Sequence, residues 1–171
     1  LTGARPPLSA IKTLEHEPES MTLLAPYDGS ELSLAAVRRA TEFADYRGEP
    51  VVVLTVVPDN QEFAVERGWI DPGERHDPDE VAARFEAEVN QVAPDATFRA
   101  ERPEPGAVRG ATTINDVTRT IREVARELDV SMVFVGSDNA GRVSTPETSV
   151  GSPISEDPAY DVLIVRHSEE D

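Results

Sequence analysis

The chain has 171 residues, of which 33 are acidic and 16 basic, so its formal net charge is −17. It contains no cysteine, which excludes disulfides, thiolate zinc sites and thiol catalysis. A chain this acidic, with no basic stripe, is a poor partner for nucleic acid. No apolar run approaches the roughly 18 residues that a membrane helix needs, so we expect no membrane partner.

The bases are almost all arginine, because Lys12 is the only lysine. Strong acidity with almost no lysine resembles the composition of proteins from extreme halophiles. Molar salt shortens the Debye length to ~3 Å, which screens the repulsion among the carboxylates. The composition therefore predicts a halophilic protein. The alternatives are an ordinary acidic protein and a protein that binds basic partners.

The first twenty residues contain three prolines and no sustained hydrophobic periodicity. We predict a poorly ordered extension over residues 1–20, one domain over residues 21–168 and an acidic tail over residues 169–171. Met21 opens directly onto an apolar run and is a candidate for the natural start. The first residues lack the apolar centre of a secretory signal peptide, so we expect a cytoplasmic protein.

Two apolar runs near the start of the domain predict buried strands. The first covers residues 21–27. The second, residues 51–57, is an almost continuous β-branched run, which is typical of a central parallel strand buried on both faces. Between them, Ser30 is a good N-cap residue, apolar residues recur at helical spacing and Gly48 ends the pattern. The predicted order is strand, tight turn, helix, strand.

Residues 59–76 form a long polar connection, which we predict to be a loop. Loops of this length are uncommon unless they are functional or partly structured. Trp69, with Phe63 and Ile70, has three interpretations here. The three side chains form a flap over the sheet edge, part of a partner interface or, most simply, an apolar cluster that holds the loop against the domain.

Helices and strands continue to alternate in the second half of the chain. Asp77 and Pro78 make a strong helix start. Thr113 is the predicted N-cap of a later helix that carries the clearest amphipathic stripe, Ile114, Val117, Ile121, Val124 and Leu128. Three further strands are predicted at residues 96–100, 130–135 and 162–165, the first of them towards a sheet edge.

The order of elements predicts an α/β fold, with an open, doubly wound, five-stranded parallel sheet and helices on both faces. In such sheets ligands bind beyond the carboxyl ends of the strands, where the strand order reverses. Asp28, Val57 and Gly136 all lie at predicted carboxyl ends. These ends are therefore the expected location of a ligand.

A glycine-marked segment with almost no apolar content separates the last two strands. It contains Gly136, Gly141 and the pair Gly151-Ser152. Glycines just after a strand, followed by small hydroxyl residues, form loops whose backbone N–H groups can face an anion. Alternatively, the glycines are simple turn residues, and Asp28 only caps the first helix or its turn.

Three motifs, in this order, resemble the universal stress protein family over nearly all of residues 21–167. Leu24-Ala-Pro-Tyr-Asp-Gly-Ser30 is similar to the family's first strand and the turn after it. Val53-Leu-Thr-Val-Val57 is similar to the second strand. Gly141, nine further residues and then Gly151-Ser152 fit the second half of the family's nucleotide signature, Gly-x2-Gly-x9-Gly-Ser/Thr.

The resemblance implies a Rossmann-like sandwich of the adenine-nucleotide alpha-hydrolase type, with ATP as the ligand of those members that bind one. It carries the nucleoside to Asp28 and Val56. It carries the phosphates to Gly136, Gly141, Gly151 and Ser152, and Arg142, the one base of this acidic loop, joins that set. The loop departs from the signature because the first two glycines are five residues apart rather than three, and because Pro153 removes an N–H.

Two functions remain open. The first is a regulatory protein that binds ATP or a related nucleotide. The second is the same fold without nucleotide, acting as a dimeric protein-interaction module. No catalytic residues, enzyme activity or metal site are expected, because neither a nucleophile–base–acid set nor zinc-ligand spacing is visible.

A homodimer is the expected assembly. In the family the last strand lies at the sheet edge and pairs across a two-fold axis. Here that strand runs from Asp161 to His167, and its apolar centre would leave an open edge in a monomer.

Overall fold

The computed structural model describes residues 21–104, 112–137 and 159–168. Five strands form one sheet: β1 (Thr22–Pro26), β2 (Val51–Val56), β3 (Thr97–Glu101), β4 (Val130–Gly136) and β5 (Asp161–Val165). Every pairing between neighbouring strands is parallel, and the order is β3-β2-β1-β4-β5. The predicted five-stranded parallel sheet is confirmed, with β3 and β5 at its edges.

Within the described ranges, four helices connect these strands: α1 (Glu31–Arg47), α2 (Gln61–Glu66), α3 (Pro78–Val92) and α4 (Thr113–Glu127). The predicted N-caps of α1 and α3 are confirmed. The Ser30 side chain accepts a hydrogen bond from the N–H of Ser33, and Asp77 accepts one from the N–H of Asp79. None of the helices in the three described ranges is long and apolar enough to cross a lipid bilayer.

Two predictions about the helices are wrong. Residues 59–76 are not all loop, because α2 forms within them after an Asn60 N-cap whose side chain accepts from the N–H of Phe63. The N-cap of α4 is Thr112 rather than Thr113, and it accepts from the N–H of Asn115. Thr113 is the first helical residue, and its hydroxyl instead accepts a hydrogen bond from the Asn60 amide at 3.0 Å.

The sheet is covered on both faces, as predicted. Helices α1 and α3 pack on one face through Val37 and Phe85, in a cluster that includes Leu23. Helix α4 packs on the other face through Ile121, in a cluster that includes Leu24. Consecutive residues of β1 thus supply opposite cores, because side chains alternate along a strand.

The topology places a crevice beside β1, which pairs with β2 on one side and with β4 on the other. The chain leaves β1 in one direction to build β2 and β3, and later adds β4 and β5 in the other direction. Ligands of open α/β sheets bind at such a switch point. Residues 138–158, which join β4 to β5, lie outside the described ranges, and so do Gly141, Arg142, Gly151 and Ser152.

Candidate functional site

A pocket lies at the carboxyl ends of β1, β2 and β4, on the face that α4 covers. Its lining includes Asp28 after β1, Val56 at the end of β2 and Val135 near the end of β4. The structure therefore brings Asp28 and Val56 to the same pocket. The rest of the wall is mostly apolar and includes Ile121 of α4. A flat apolar group fits such a wall, with Asp28 as a charged acceptor at one end.

Asp28 is held by contacts at its carboxylate and at its backbone, where the N–H donates to Oγ of Ser33 at 3.3 Å. Its carboxylate Oδ1 accepts a hydrogen bond from the Ser30 N–H at 3.0 Å, which shapes the turn before α1. Its Oδ2 lies 3.6 Å from Nη1 of Arg67 in an ion pair. Its backbone carbonyl accepts from the indole N–H of Trp69 at 2.8 Å. The hydrogen bond to Ser30 agrees with the alternative interpretation, in which Asp28 stabilises the turn before α1.

The turn after Asp28 requires glycine. Gly29 has φ +86°, in the left-handed region, and a Cβ placed there would lie 2.9 Å from the ring of Phe85. Both facts exclude a side chain at this position without a shift of the turn or of α3. The Asp28 carboxylate is positioned by a turn that packs directly on the core.

Residues 60–76, called the flap below, form part of the pocket wall. Phe63, Arg67 and Trp69 of the flap all line the pocket. Trp69 is only 5% exposed, and its ring makes edge contacts with Phe63 at 5.5 Å and Phe85 at 5.7 Å between centroids. The predicted apolar cluster is confirmed, and it belongs to the main core. Sequence reasoning did not assign Phe63, Arg67 or Trp69 to the ligand site.

Tyr27 anchors the other side of the same turn. Its hydroxyl donates a short hydrogen bond to the Glu88 carboxylate of α3, and its ring lies 5.3 Å from that of Phe85. Burial, followed by the hydrogen bond to Glu88, raises the pKa of the Tyr27 phenol well above its usual range. The phenol therefore stays protonated and fixes the end of β1 to α3.

Gly136 ends β4 rather than forming part of a turn. A Cβ at this position would lie 2.8 Å from Cβ of Leu32 and 2.9 Å from its backbone carbonyl carbon. Glycine is required here because β4 approaches the first turn of α1 closely. Gly136 is not among the residues that line the pocket. Within the described ranges, no group of three His, Asp or Glu side chains is arranged to hold a metal ion.

The family model described as "Universal stress protein family" matches residues 20–166. This chain belongs to the universal stress protein family. No protein of the curated set matches it in sequence.

Solved universal stress proteins share the fold. UspA from Lactobacillus plantarum is 18% identical, aligned over 86% of this chain and 98% of that one, with a TM-score of 0.58. A universal stress protein solved in complex with cAMP is 22% identical, over 85% of this chain and 97% of that one, with a TM-score of 0.56. A family member from Burkholderia pseudomallei is 19% identical, over 89% and 100%, with a TM-score of 0.50.

Proposed function

We propose that this universal stress protein is a regulatory protein that binds an adenine nucleotide at the carboxyl ends of its strands. The nucleoside lies between Asp28 and Val56, and the phosphates lie at Gly136 and the loop that follows it. The loop residues of the proposal are those that the family signature marks, Gly141, Arg142, Gly151 and Ser152. ATP is the first candidate ligand.

The observation that carries the proposal is the meeting of Asp28 and Val56 in one apolar pocket at the switch point of the sheet. A carboxylate accepts hydrogen bonds from ribose hydroxyls, and an apolar wall accommodates a purine ring. A universal stress protein of similar fold was solved with cAMP, so cAMP is tested beside ATP, ADP and AMP.

Ligand binding can be tested by thermal and urea unfolding of the full chain with each nucleotide. A ligand at a hundredfold excess over its Kd raises the free energy of unfolding by about 2.7 kcal/mol. Trp69, the only tryptophan of the chain, borders the pocket, and its fluorescence should change on binding. If none of the four nucleotides changes stability or fluorescence, the proposal is wrong.

Asp28→Asn tests where the nucleoside binds. An asparagine Oδ1 still accepts from the Ser30 N–H, so the turn is kept while the charge is lost. We expect Kd to rise about tenfold, because hydrogen bonds to charged groups contribute about 1.5–3 kcal/mol. The control is Asp79→Asn, which makes the same change of charge at a side chain that is 90% exposed on α3. Equal effects of the two variants would contradict the assignment.

One observation favours the second candidate function, an interaction module without nucleotide. The pocket has a volume of only about 40 Å³. Pockets for small molecules commonly measure about 300–1,000 Å³. A chain that binds no nucleotide but remains a dimer would fit this function.

We infer that the assembly is a homodimer through β5. Val162, Leu163 and Ile164 are only half-buried on this edge strand, and an open apolar edge favours pairing with a second copy. Ile164→Lys should give a monomer by light scattering. Thr97→Lys, on the opposite edge strand β3, should leave the dimer intact. A monomeric parent chain would overturn the inference.

We also propose that the protein is a haloarchaeal-type cytoplasmic member of the family with one functional domain over residues 21–168, and that it regulates without a catalytic residue. The net charge of −17 supports the halophilic assignment. Stability should rise steeply with KCl up to molar concentrations. A melting temperature that is independent of salt would contradict the halophilic assignment. Rapid turnover of ATP would contradict regulation without a catalytic residue.

A further inference from the structure

Arg67 of the flap forms an ion pair with Asp28, the residue to which the proposed nucleoside would bind. Its Nη1 lies 3.6 Å from Oδ2 of Asp28, and the two side chains are 30% and 24% exposed. The guanidinium also lies over the Phe63 ring, with its central carbon 5.0 Å from the ring centroid. The other carboxylate oxygen of Asp28 accepts from the Ser30 N–H. Both oxygens of Asp28 therefore have partners within the protein.

The flap that carries Arg67 is fixed at several points. The Asn60 amide donates to the Thr113 hydroxyl, and the Trp69 indole donates to the Asp28 carbonyl. Near its end, Nε2 of the buried His76 lies 2.9 Å from the Pro58 carbonyl oxygen. These contacts hold the flap, and with it Arg67, beside Asp28 at the wall of the pocket.

Arg67 and Asp28 also separate two pockets. Both residues line the narrow pocket beside Val56, and both line a wider one of about 330 Å³ between the start of α1 and α3. The wider pocket is bordered by Arg84 and Glu88 of α3. A guanidinium that leaves Asp28 therefore has adjoining space, with the Glu88 carboxylate at its border.

We propose that Arg67 is a built-in competitor for the ligand at Asp28, and so sets the affinity of the site. This inference rests on the proposed nucleotide function. A ribose hydroxyl and the guanidinium compete for the Oδ2 side of the same carboxylate. Binding of the nucleoside displaces Arg67 towards the wider pocket and opens the flap. Because the ion pair is partly exposed, it lowers affinity moderately rather than blocking the site.

The test uses the full chain and compares the parent with Arg67→Met. Methionine keeps an apolar side chain against Phe63 and removes the charge. The probes are adenosine, which has no phosphate, and AMP, and binding is followed by Trp69 fluorescence. Titrations are made in molar KCl and at the lowest KCl that keeps the chain folded by circular dichroism. The matched control is Arg102→Met, which removes the same charge from an exposed ion pair with Asp79.

We expect Arg67→Met to bind both adenosine and AMP more tightly, by about two- to fivefold at low KCl, as exposed ion pairs contribute that much to an equilibrium constant. The gain should shrink in molar KCl, where salt screens the pair. Arg102→Met should bind like the parent. Binding by the variant with none by the parent would also support the inference.

Three results would overturn it. Unchanged or weaker adenosine binding by Arg67→Met would mean that Arg67 does not compete. Weaker AMP binding with unchanged adenosine binding would assign Arg67 to the phosphate instead. In both cases the parent binds, so the proposed function stands. If neither chain binds adenosine or any of the four nucleotides, both proposals fail together.

Discussion

The indole N–H of Trp69 donates to the backbone carbonyl of Asp28 across 2.8 Å. This bond joins the flap to the turn that carries the proposed ligand-binding carboxylate. Trp69→Phe keeps an aromatic ring against Phe63 and Phe85 but loses the donor. We expect it to lower the free energy of unfolding by about 1 kcal/mol, because a partly buried carbonyl loses a partner. Urea unfolding followed by circular dichroism measures this, and an unchanged midpoint would contradict it.

Gly29→Ala should destabilise the chain for two reasons that one control separates. The left-handed backbone costs about 1–2 kcal/mol for a residue with a side chain, and the new Cβ would meet the Phe85 ring at 2.9 Å. Gly73 also has a positive φ, +93°, but open space around it. Gly73→Ala therefore shows the backbone cost alone. We expect Gly29→Ala to lose about 1–3 kcal/mol more in urea unfolding, whereas equal losses would show that Phe85 moves freely.

Gly136→Ala should destabilise the chain even without any ligand. The added Cβ would lie 2.8–2.9 Å from Leu32 atoms that include the backbone carbonyl carbon, which cannot move independently of α1. Overpacking of this kind costs about 1–3 kcal/mol. Thermal unfolding without nucleotide tests this, and an unaffected melting temperature would leave Gly136 without a packing role. Lost nucleotide binding in this variant would not, by itself, assign Gly136 to a phosphate.

Tyr27 should make the folded state sensitive to high pH. Its folded pKa is raised above the ordinary value of 10.0 by burial and by Glu88. Unfolded chains therefore lose the proton first, and the stability from the protonated phenol is lost as pH rises above about 10. Tyr27→Phe should reduce this loss, and should also cost about 1 kcal/mol at neutral pH through the missing hydrogen bond.

Tyr46→Phe is the control for this prediction, because Tyr46 is 90% exposed. Urea unfolding of the three chains between neutral pH and pH 11 or so provides the measurement. Tyr27→Phe and Tyr46→Phe chains with the same dependence on pH would show that the buried phenol is not responsible.

Local patterns were sufficient to predict the sheet and the long helices. The β-branched run at residues 51–57 is continuous because β2 is buried on both faces. Val81, Phe85 and Val89 recur at helical spacing because one face of α3 packs on the sheet. In both cases burial follows from the hydrophobic pattern of residues that are close together in the sequence. Family membership followed from short motifs at the ends of these elements.

The flap could not be predicted in the same way. Helix α2 has six residues, too few to show a hydrophobic period, and its one local signal is Asn60 as an N-cap. Trp69 is fixed by Asp28 and Phe85, and Arg67 by Asp28, all distant in sequence. An ion pair between residues that are far apart in the sequence produces no local pattern from which it could be predicted. The length of the connection showed that it is unusual for a loop, but its sequence predicted neither α2 nor the contacts of residues 60–76 with the pocket.

The two edge strands, β3 and β5, differ in how readily a further strand can pair with them. On β3, Nε of Arg99 donates to the Glu101 carboxylate at 2.6 Å, and the same guanidinium reaches Glu127 of α4. On β5 the central residues are apolar. A strand that pairs with β3 would have to disturb these charged pairs. A strand that pairs with β5 would meet apolar residues at its centre. On the proposed pairing, growth of the sheet is self-limiting: a single second copy uses the one receptive edge, and the array closes as a pair instead of extending into a fibre.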